Sequence, residues 1–374
     1  MKNLLIASDS FFPRKDGVAS FLNSIIPKLA KKYRVTVLAP DFGEFKGYEN
    51  VELVRFKVMK VVVGDYSPCW PSYSKIKKKV KEADIVWTQT IGPVGAMTVL
   101  AAKRAKKPLF AYIHSIEWEL FTKSLSLNRF YKRLIYVIVR RYVKFLYRRQ
   151  DLLLVPSVEV AELFGKIGVQ TRKKVVHLGV NTDVFIPPHE KSAAKSAVNI
   201  DPDNLVVGFC GRISREKDLK TLYRAFYRVR KRHGNVVLLL VGSGVKDLED
   251  FFRKKHSVIL VGSQEKVAPF LQAMDIYVLP SLTETTSLST LEAMSCELPV
   301  ISTPVGYVKN YIENGVNGLF FPKKDSVTLY RTISTLIDNA ALRQRLGKNA
   351  RKTIVEKFSG NNTPERIMEV IDAF

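Results

Sequence analysis

The sequence predicts an α/β protein built from two doubly wound domains, and three observations carry that prediction. Short apolar runs alternate with helical patterns along the whole chain, as βαβ units with buried parallel strands do. The rhythm occurs twice, on either side of Pro187-Pro188-His189-Glu190-Lys191-Ser192-Ala193-Ala194-Lys195, a passage without strand character. The 374 residues also exceed what one ordinary hydrophobic core accommodates. Strands of the first half include Leu4–Ala7, Val35–Ala39, Ile85–Thr88, Leu109–His114 and Leu152–Val155. Those of the second include Val206–Cys210, Val236–Val241, Val258–Val261, Ile276–Leu279 and Val300–Ser302. Domains are expected over 1–186 and 187–358. The last segment, 359–374, is expected to hold a helix near Pro364–Phe374 after Gly360-Asn361-Asn362.

Hydrophobic content of 46% and charged content of 25% are those of a globular chain rather than a disordered one. Cys69, Cys210 and Cys296 are odd in number and widely spaced, which points to reduced thiols in a cytosol. The N-terminal Lys2-Asn3-Leu4-Leu5-Ile6-Ala7 reads as a first strand rather than a signal peptide. With no apolar run near the roughly 20 residues of a spanning helix, the expected location is cytoplasmic, either free or peripheral on the cytoplasmic face of a membrane. The net charge is +25 and uneven: 33 Lys and Arg face 15 Asp and Glu through Phe185, against 27 and 20 beyond it. Such an excess points to an anionic partner for the first half. Two segments concentrate it, Lys75–Lys81 and Arg129–Arg149; the latter has eight cations, no acid and many aromatics. That mixture suits an anionic bilayer surface. No helix-turn-helix, zinc-finger or RNA-recognition pattern accompanies it, so nucleic acid is not the expected partner.

Chemistry-bearing residues gather at strand ends. Ile276-Tyr277-Val278-Leu279 runs into Pro280-Ser281-Leu282-Thr283-Glu284, and Glu292 follows Glu284 after seven residues. Leu288, Leu291 and Met294 mark a short helix there, for which Thr286 or Ser287 is a suitable N-cap. One carboxylate thus sits in a loop at a strand's carboxyl end and the other on the next helix. In doubly wound sheets such loops bind ligands, and a helix N-terminus suits a phosphate. Ionised carboxylates only accept hydrogen bonds, so the pair suits hydroxyl-rich groups such as a ribose and a hexose. Gly211-Arg212-Ile213-Ser214-Arg215-Glu216-Lys217 follows the strand Val206–Cys210, placing Arg212 and Lys217 where they could neutralise a departing diphosphate. Gly17 lies in the loop Ser10–Ser20 after the first strand, where glycine allows close backbone approach to a ligand. His114 closes the strand Leu109–Ile113 and opens the polar turn Ser115-Ile116-Glu117.

Nearly the whole chain resembles the retaining nucleotide-sugar glycosyltransferases of family four, which have the GT-B fold of two Rossmann-like domains facing across a cleft. The Glu284 and Glu292 spacing is similar to that family's E-x7-E element, and Gly211, Arg212, Glu216 and Lys217 to its G-R-x-x-x-E-K motif. The loop Ser10–Ser20 resembles its P…GG(V/A) loop, with a single Gly, Gly17, preceded by Asp16. His177 begins a segment, 177–185, similar to its N-G-V-(D/N)-x-x-x-F boundary and is read as structural. The resemblance implies that Glu292 binds the ribose, Glu284 the sugar, and Arg212 with Lys217 the diphosphate. His114 and Gly17 would then contact the sugar from the other domain, and the last helix would cross back onto the first domain. The chain departs from the family's E-G-F-G-L at Thr285, Thr286 and Ser287, while the amides of Leu288 and Ser289 could still face the diphosphate. Glu297 also replaces a customary Gly. No bound metal or other cofactor is expected; Asp201-Pro202-Asp203 reads as a turn rather than a cation site. The implied reaction moves a hexose from a nucleoside-diphosphate sugar to an acceptor, expected to be a membrane lipid or lipid-linked glycan. The alternatives are a nucleotide-sugar 2-epimerase of the same architecture and a non-enzymatic basic protein binding membranes or nucleic acid.

Overall fold

The structure is a computed structural model that describes residues 1–14, 16–61, 67–125, 127–360 and 363–374. Lys15, Asn361 and Asn362, which the sequence reading placed in loops, lie outside the described residues. By internal contacts the chain divides into Met1–His177 with Asn362–Phe374, and Leu178–Asn361.

The first unit holds β1 (Asn3–Ala7), β2 (Arg34–Asp41), β3 (Val51–Lys57), β4 (Ile85–Thr88), β5 (Leu109–Tyr112), β6 (Leu152–Val155) and β7 (Lys173–Val175). They form one parallel sheet in the order β3-β2-β1-β4-β5-β6-β7. Ile6 lies opposite both Val37 and Trp87, so β1 sits inside the sheet between β2 and β4. The central strands are buried on both faces, which explains their unbroken apolar runs. The edge strand β3 and the short β7 were absent from the sequence reading. The first mixes charged and apolar residues and the second is Lys173-Lys174-Val175, because neither is covered on both faces.

The second unit holds β8 (Leu205–Cys210), β9 (Val236–Val241), β10 (Val258–Gly262), β11 (Ile276–Leu279), β12 (Val300–Ser302) and β13 (Leu319–Phe320). Its parallel order is β10-β9-β8-β11-β12-β13. The helix Leu219–His233 buries Leu219, Leu222, Phe226 and Val229, the stripe its sequence announces. In each sheet the strand order reverses once, between β1 and β4 and between β8 and β11. Such a reversal leaves a crevice outside the carboxyl ends of the two strands, because their connections leave toward opposite faces.

The passage read as a linker belongs to the second unit, whose contacts begin at Leu178. Within it Lys191–Ser196 forms a helix that is pinned to the sheet. The ammonium of Lys195 is buried, 2.9 Å from Asp275, and donates to the carbonyl of Asn204 at 2.8 Å. Asp275 in turn accepts from the amide of Val206 at 2.8 Å, so one ion pair ties the helix to the starts of β8 and β11. The helix Thr363–Asp372 packs within the first unit. Tyr33 donates to Asp372 at 2.7 Å, and Phe374 stacks on Phe110 with centroids 5.6 Å apart.

Removing one member of a buried ion pair leaves the other uncompensated, at a cost of about 3–5 kcal/mol. Lys195→Met is therefore expected to lower the stability of the second unit by about 3 kcal/mol, read as a drop in urea midpoint.

Candidate functional site

Both loops at the β8/β11 reversal carry residues singled out from the sequence. The chain leaves β8 through Gly211, whose φ of +145° is open to glycine. A Cβ on Gly242 would lie 2.0 Å from the carbonyl oxygen of Gly211, and one on Gly244 would lie 2.2 Å from that of Ile213. These two glycines after β9 let the backbones touch, with Ile213 N donating to Ser243 O and Val245 N to Ile213 O. The turn Arg215–Lys217 follows, and Asp218 adopts a left-handed conformation before the helix Leu219–His233 begins.

Within that turn the side chains interlock. Glu216 is buried and accepts from Ser214 Oγ at 2.5 Å and from the Arg212 guanidinium at 3.1 Å. Its other carboxylate oxygen is buried without a hydrogen-bond partner. Glu216 thereby restrains the guanidinium of Arg212. Its backbone carbonyl also accepts from the amide of Leu282, joining this loop to the one after β11. Across the same junction the Lys217 ammonium bonds directly to Glu284, which also accepts from Ser281 Oγ at 2.7 Å. Lys217 and Glu284 keep 17% and 10% of their side-chain surface exposed, enough for both to touch solvent. The structure therefore brings these two predicted residues together as a pair.

The Glu284 loop is held from below. A Cβ on Gly306, at φ +52°, would stand 1.9 Å from the Glu284 carbonyl oxygen, so only glycine permits the backbone to lie there. Tyr307 N donates to Thr285 O at 2.7 Å, Tyr311 Oη to Thr286 O at 2.7 Å, and Thr303 Oγ1 to Ser281 O at 2.6 Å. Gly242, Gly244, Gly306 and Tyr307 were not singled out from the sequence. The signal was a glycine directly after an apolar strand, visible at Val241-Gly242-Ser243-Gly244 but without a partner to give it meaning.

Ser287 precedes the helix Leu288–Ser295, as anticipated, but does not cap it with its side chain. Its backbone is left-handed (φ 57°), and Ser287 Oγ lies 2.8 Å from Thr290 Oγ1 instead. The first amides, at Leu288 and Ser289, are thus helix N-terminal donors without an intrahelical acceptor. Ser289 Oγ accepts from Tyr277 at 2.9 Å. Glu292 lies further along this helix, and burial pushes its carboxyl up to about 7.

In the first unit the loop after β1 behaves differently. Asp16, the departure from the double-glycine pattern, is the N-cap of the helix Gly17–Leu29. It accepts from Val18 N at 3.1 Å, Ala19 N at 3.0 Å and Arg14 Nε at 3.2 Å, and from Ser10 Oγ. The amides that open this helix are therefore already occupied by its own cap. Gly17 is exposed, and a Cβ there would meet no protein atom within 4 Å. His114 lies just past β5. Its Nε2 is 2.8 Å from Gln89 Oε1, and the rings of Phe21 and Tyr112 flank it. Burial depresses its pKa to about 3, so the imidazole is neutral at physiological pH. Nearby in sequence, Glu117 accepts from Tyr147 at 2.6 Å, and burial raises its carboxyl to about 7. His177 meets the carbonyl of Pro156 through Nδ1 at 2.8 Å, a structural contact. Asp203 N donates to Asp201 Oδ1 at 3.0 Å, as a turn would have it. Among the described residues no group of three or more His, Cys, Asp or Glu side chains could hold a metal ion.

Comparison with known proteins converges on one family. Residues 15–184 match the model described as Glycosyltransferase Family 4, and residues 204–339 the model described as Glycosyl transferases group 1. The chain is 24% identical over 329 residues to the alpha-monoglucosyldiacylglycerol synthase of Streptococcus pneumoniae, covering 84% of this chain and 74% of that one. It is 22% identical to the GDP-mannose-dependent alpha-(1-6)-phosphatidylinositol monomannoside mannosyltransferase of Mycolicibacterium smegmatis, covering 98% of both. In other matches, to a glycosyltransferase of Methanocaldococcus jannaschii and to CapM of Staphylococcus aureus, the chain spans about half the length of the relative. Among solved structures, Anabaena HepE in complex with UDP and glucose superposes with a TM-score of 0.79 over all of both chains at 20% identity, a likeness of fold.

A carboxyl raised by burial destabilises the folded state once it ionises. The folded form of Glu292 holds its proton to about 7 and the unfolded form only to about 4.5, so stability falls as pH rises between them. Glu292→Gln removes that penalty. The variant is expected to be more stable than the parent above pH 7, by on the order of 1–3 kcal/mol, with the difference closing toward pH 4.5. Thermal melts across that range check the sign.

Proposed function

We propose, for a chain that belongs to the family-four type of glycosyltransferases, that it moves a hexose with retention from a nucleoside-diphosphate sugar to a lipid or lipid-linked acceptor. The observation that carries this reading is the Lys217–Glu284 pair, with Arg212 in the same loop as Lys217 and the helix Leu288–Ser295 starting, without a side-chain cap, four residues after Glu284. Cations and helix amides at one place favour a diphosphate, and a carboxylate in the same cluster favours a hydroxyl-bearing group attached to it.

In this mechanism Arg212, Lys217 and the amides of Leu288 and Ser289 hold the diphosphate. Glu292 receives ribose hydroxyls and Glu284 a hexose hydroxyl, with Thr285, Thr286 and Ser287 lining the sugar side. The bond from the anomeric carbon to the diphosphate oxygen breaks as the bond to the acceptor oxygen forms on the same face. The acceptor's proton passes to the departing diphosphate, whose growing charge Arg212 and Lys217 neutralise without a metal ion. In the first unit His114, kept neutral by burial, offers hydrogen bonds rather than charge. A lipid acceptor is supported by the names of the relatives from Streptococcus pneumoniae and Mycolicibacterium smegmatis and by the basic first half of the chain. Action at the cytoplasmic face of a membrane fits the same acceptor. Among the described residues no helix is long and apolar enough to cross a membrane.

Two measurements test this. Metal-free thermal shifts with UDP, GDP, ADP and their sugars are expected to single out one base; indifference to all of them counts against a donor site. Lys217→Ala is expected to lower turnover roughly 10²–10³-fold, the scale of losing one donor to developing charge. Unchanged turnover removes Lys217 from the mechanism.

A further inference from the structure

The helix Arg129–Tyr147 has two apolar faces, and only one of them is used by the fold. Val143, Leu146 and Tyr147 are buried in the first unit's core, with Tyr136 and Val139 packed against it. On the opposite side Phe130, Leu134, Val137, Ile138 and Phe145 recur at helical spacing and stand 73%, 50%, 40%, 56% and 46% exposed. A water-facing stripe of large apolar side chains is costly in a monomeric protein unless something covers it. The same helix carries Arg129, Lys132, Arg133, Arg140, Arg141 and Lys144 and no acid, and among the described residues none of these cations is in an ion pair. The other basic segment differs, since Lys79 there is paired with Glu52 and Glu82.

We propose that this outward face is a membrane-docking surface, lying flat in the headgroup layer of an anionic bilayer with Phe130, Leu134, Ile138 and Phe145 inserted. Charge decides among possible occupants. A second copy of the chain would bring cationic helices together, which like-charge repulsion opposes. A nucleic acid would meet the cations but leave the apolar stripe unused. An anionic lipid surface takes both at once, the acyl boundary receiving the stripe and the phosphates its flanking Arg and Lys. The inference rests on the proposed lipid acceptor only for its biological purpose; docking itself needs neither donor nor transfer.

Co-sedimentation of the full chain with vesicles of phosphatidylcholine, with and without phosphatidylglycerol, tests it. Binding is expected to the anionic vesicles alone and to weaken with salt. Phe130→Ala/Leu134→Ala/Ile138→Ala, all exposed and all compatible with a helix, is expected to weaken it roughly tenfold or more. In Leu134→Trp the added indole is expected to shift to the blue on anionic vesicles. Failure of the parent to bind, equal binding by the triple variant, or an unmoved indole spectrum each overturns the proposal. So does a self-association of the parent that the triple variant abolishes while vesicle binding persists. Nucleotide thermal shifts on the same proteins separate this outcome from the donor site: a triple variant that keeps its shift but loses vesicles has lost docking alone.

Discussion

The bond between Lys217 and Glu284 spans two strand-to-helix loops 67 residues apart in sequence, and much of the second unit is arranged to make it possible. A compact cluster of opposite charges at a strand reversal needs backbones in closer contact than side chains normally allow. Gly242, Gly244 and Gly306 supply that closeness, each removing a Cβ that would collide with a neighbouring carbonyl. The amide of Leu282 then meets Glu216, and Glu216 holds Arg212. The charged groups are therefore placed by backbone geometry, and their own attraction adds the final restraint. For a site proposed to meet developing charge, this order of causes matters, because donors already in position need no reorganisation.

The two units handle the same local problem in opposite ways. In the first, Asp16 accepts from two of the opening amides of its helix, those of Val18 and Ala19. In the second, Ser287 turns left-handed and engages Thr290, leaving the amides of Leu288 and Ser289 without a side-chain cap. One helix start is finished by the protein and the other is left for a partner, which is the asymmetry expected if the phosphates belong to the second unit.

Much of this was legible in the sequence where one residue type has one physical use. The apolar runs Val236–Val241 and Ile276–Leu279 could only be buried strands, and the carboxylates and cations after them stood at the loops where ligands meet such sheets. What stayed hidden depended on contact. Nothing in Thr303-Pro304-Val305-Gly306 announces that Gly306 lies beneath Glu284, because that closeness exists only after folding. The short strands β7 and β13 escaped because few residues cannot display a period, and the edge strand β3 because its alternation is interrupted by Arg55. The passage 187–195 looked like a spacer because composition does not reveal that Lys195 finds Asp275.

The helix Thr363–Asp372 has a consequence for how the chain is made. Its Asp372 holds Tyr33, and Phe374 covers Phe110, a residue of the first unit's central strands. During synthesis the first unit emerges with that patch uncovered and waits until some 185 later residues have been added, as counted between His177 and Thr363. The intervening unit must therefore be translated, and given time to fold, while its predecessor is still unfinished. Vectorial folding from one end to the other is closed to this topology: the first unit is the first begun and the last completed.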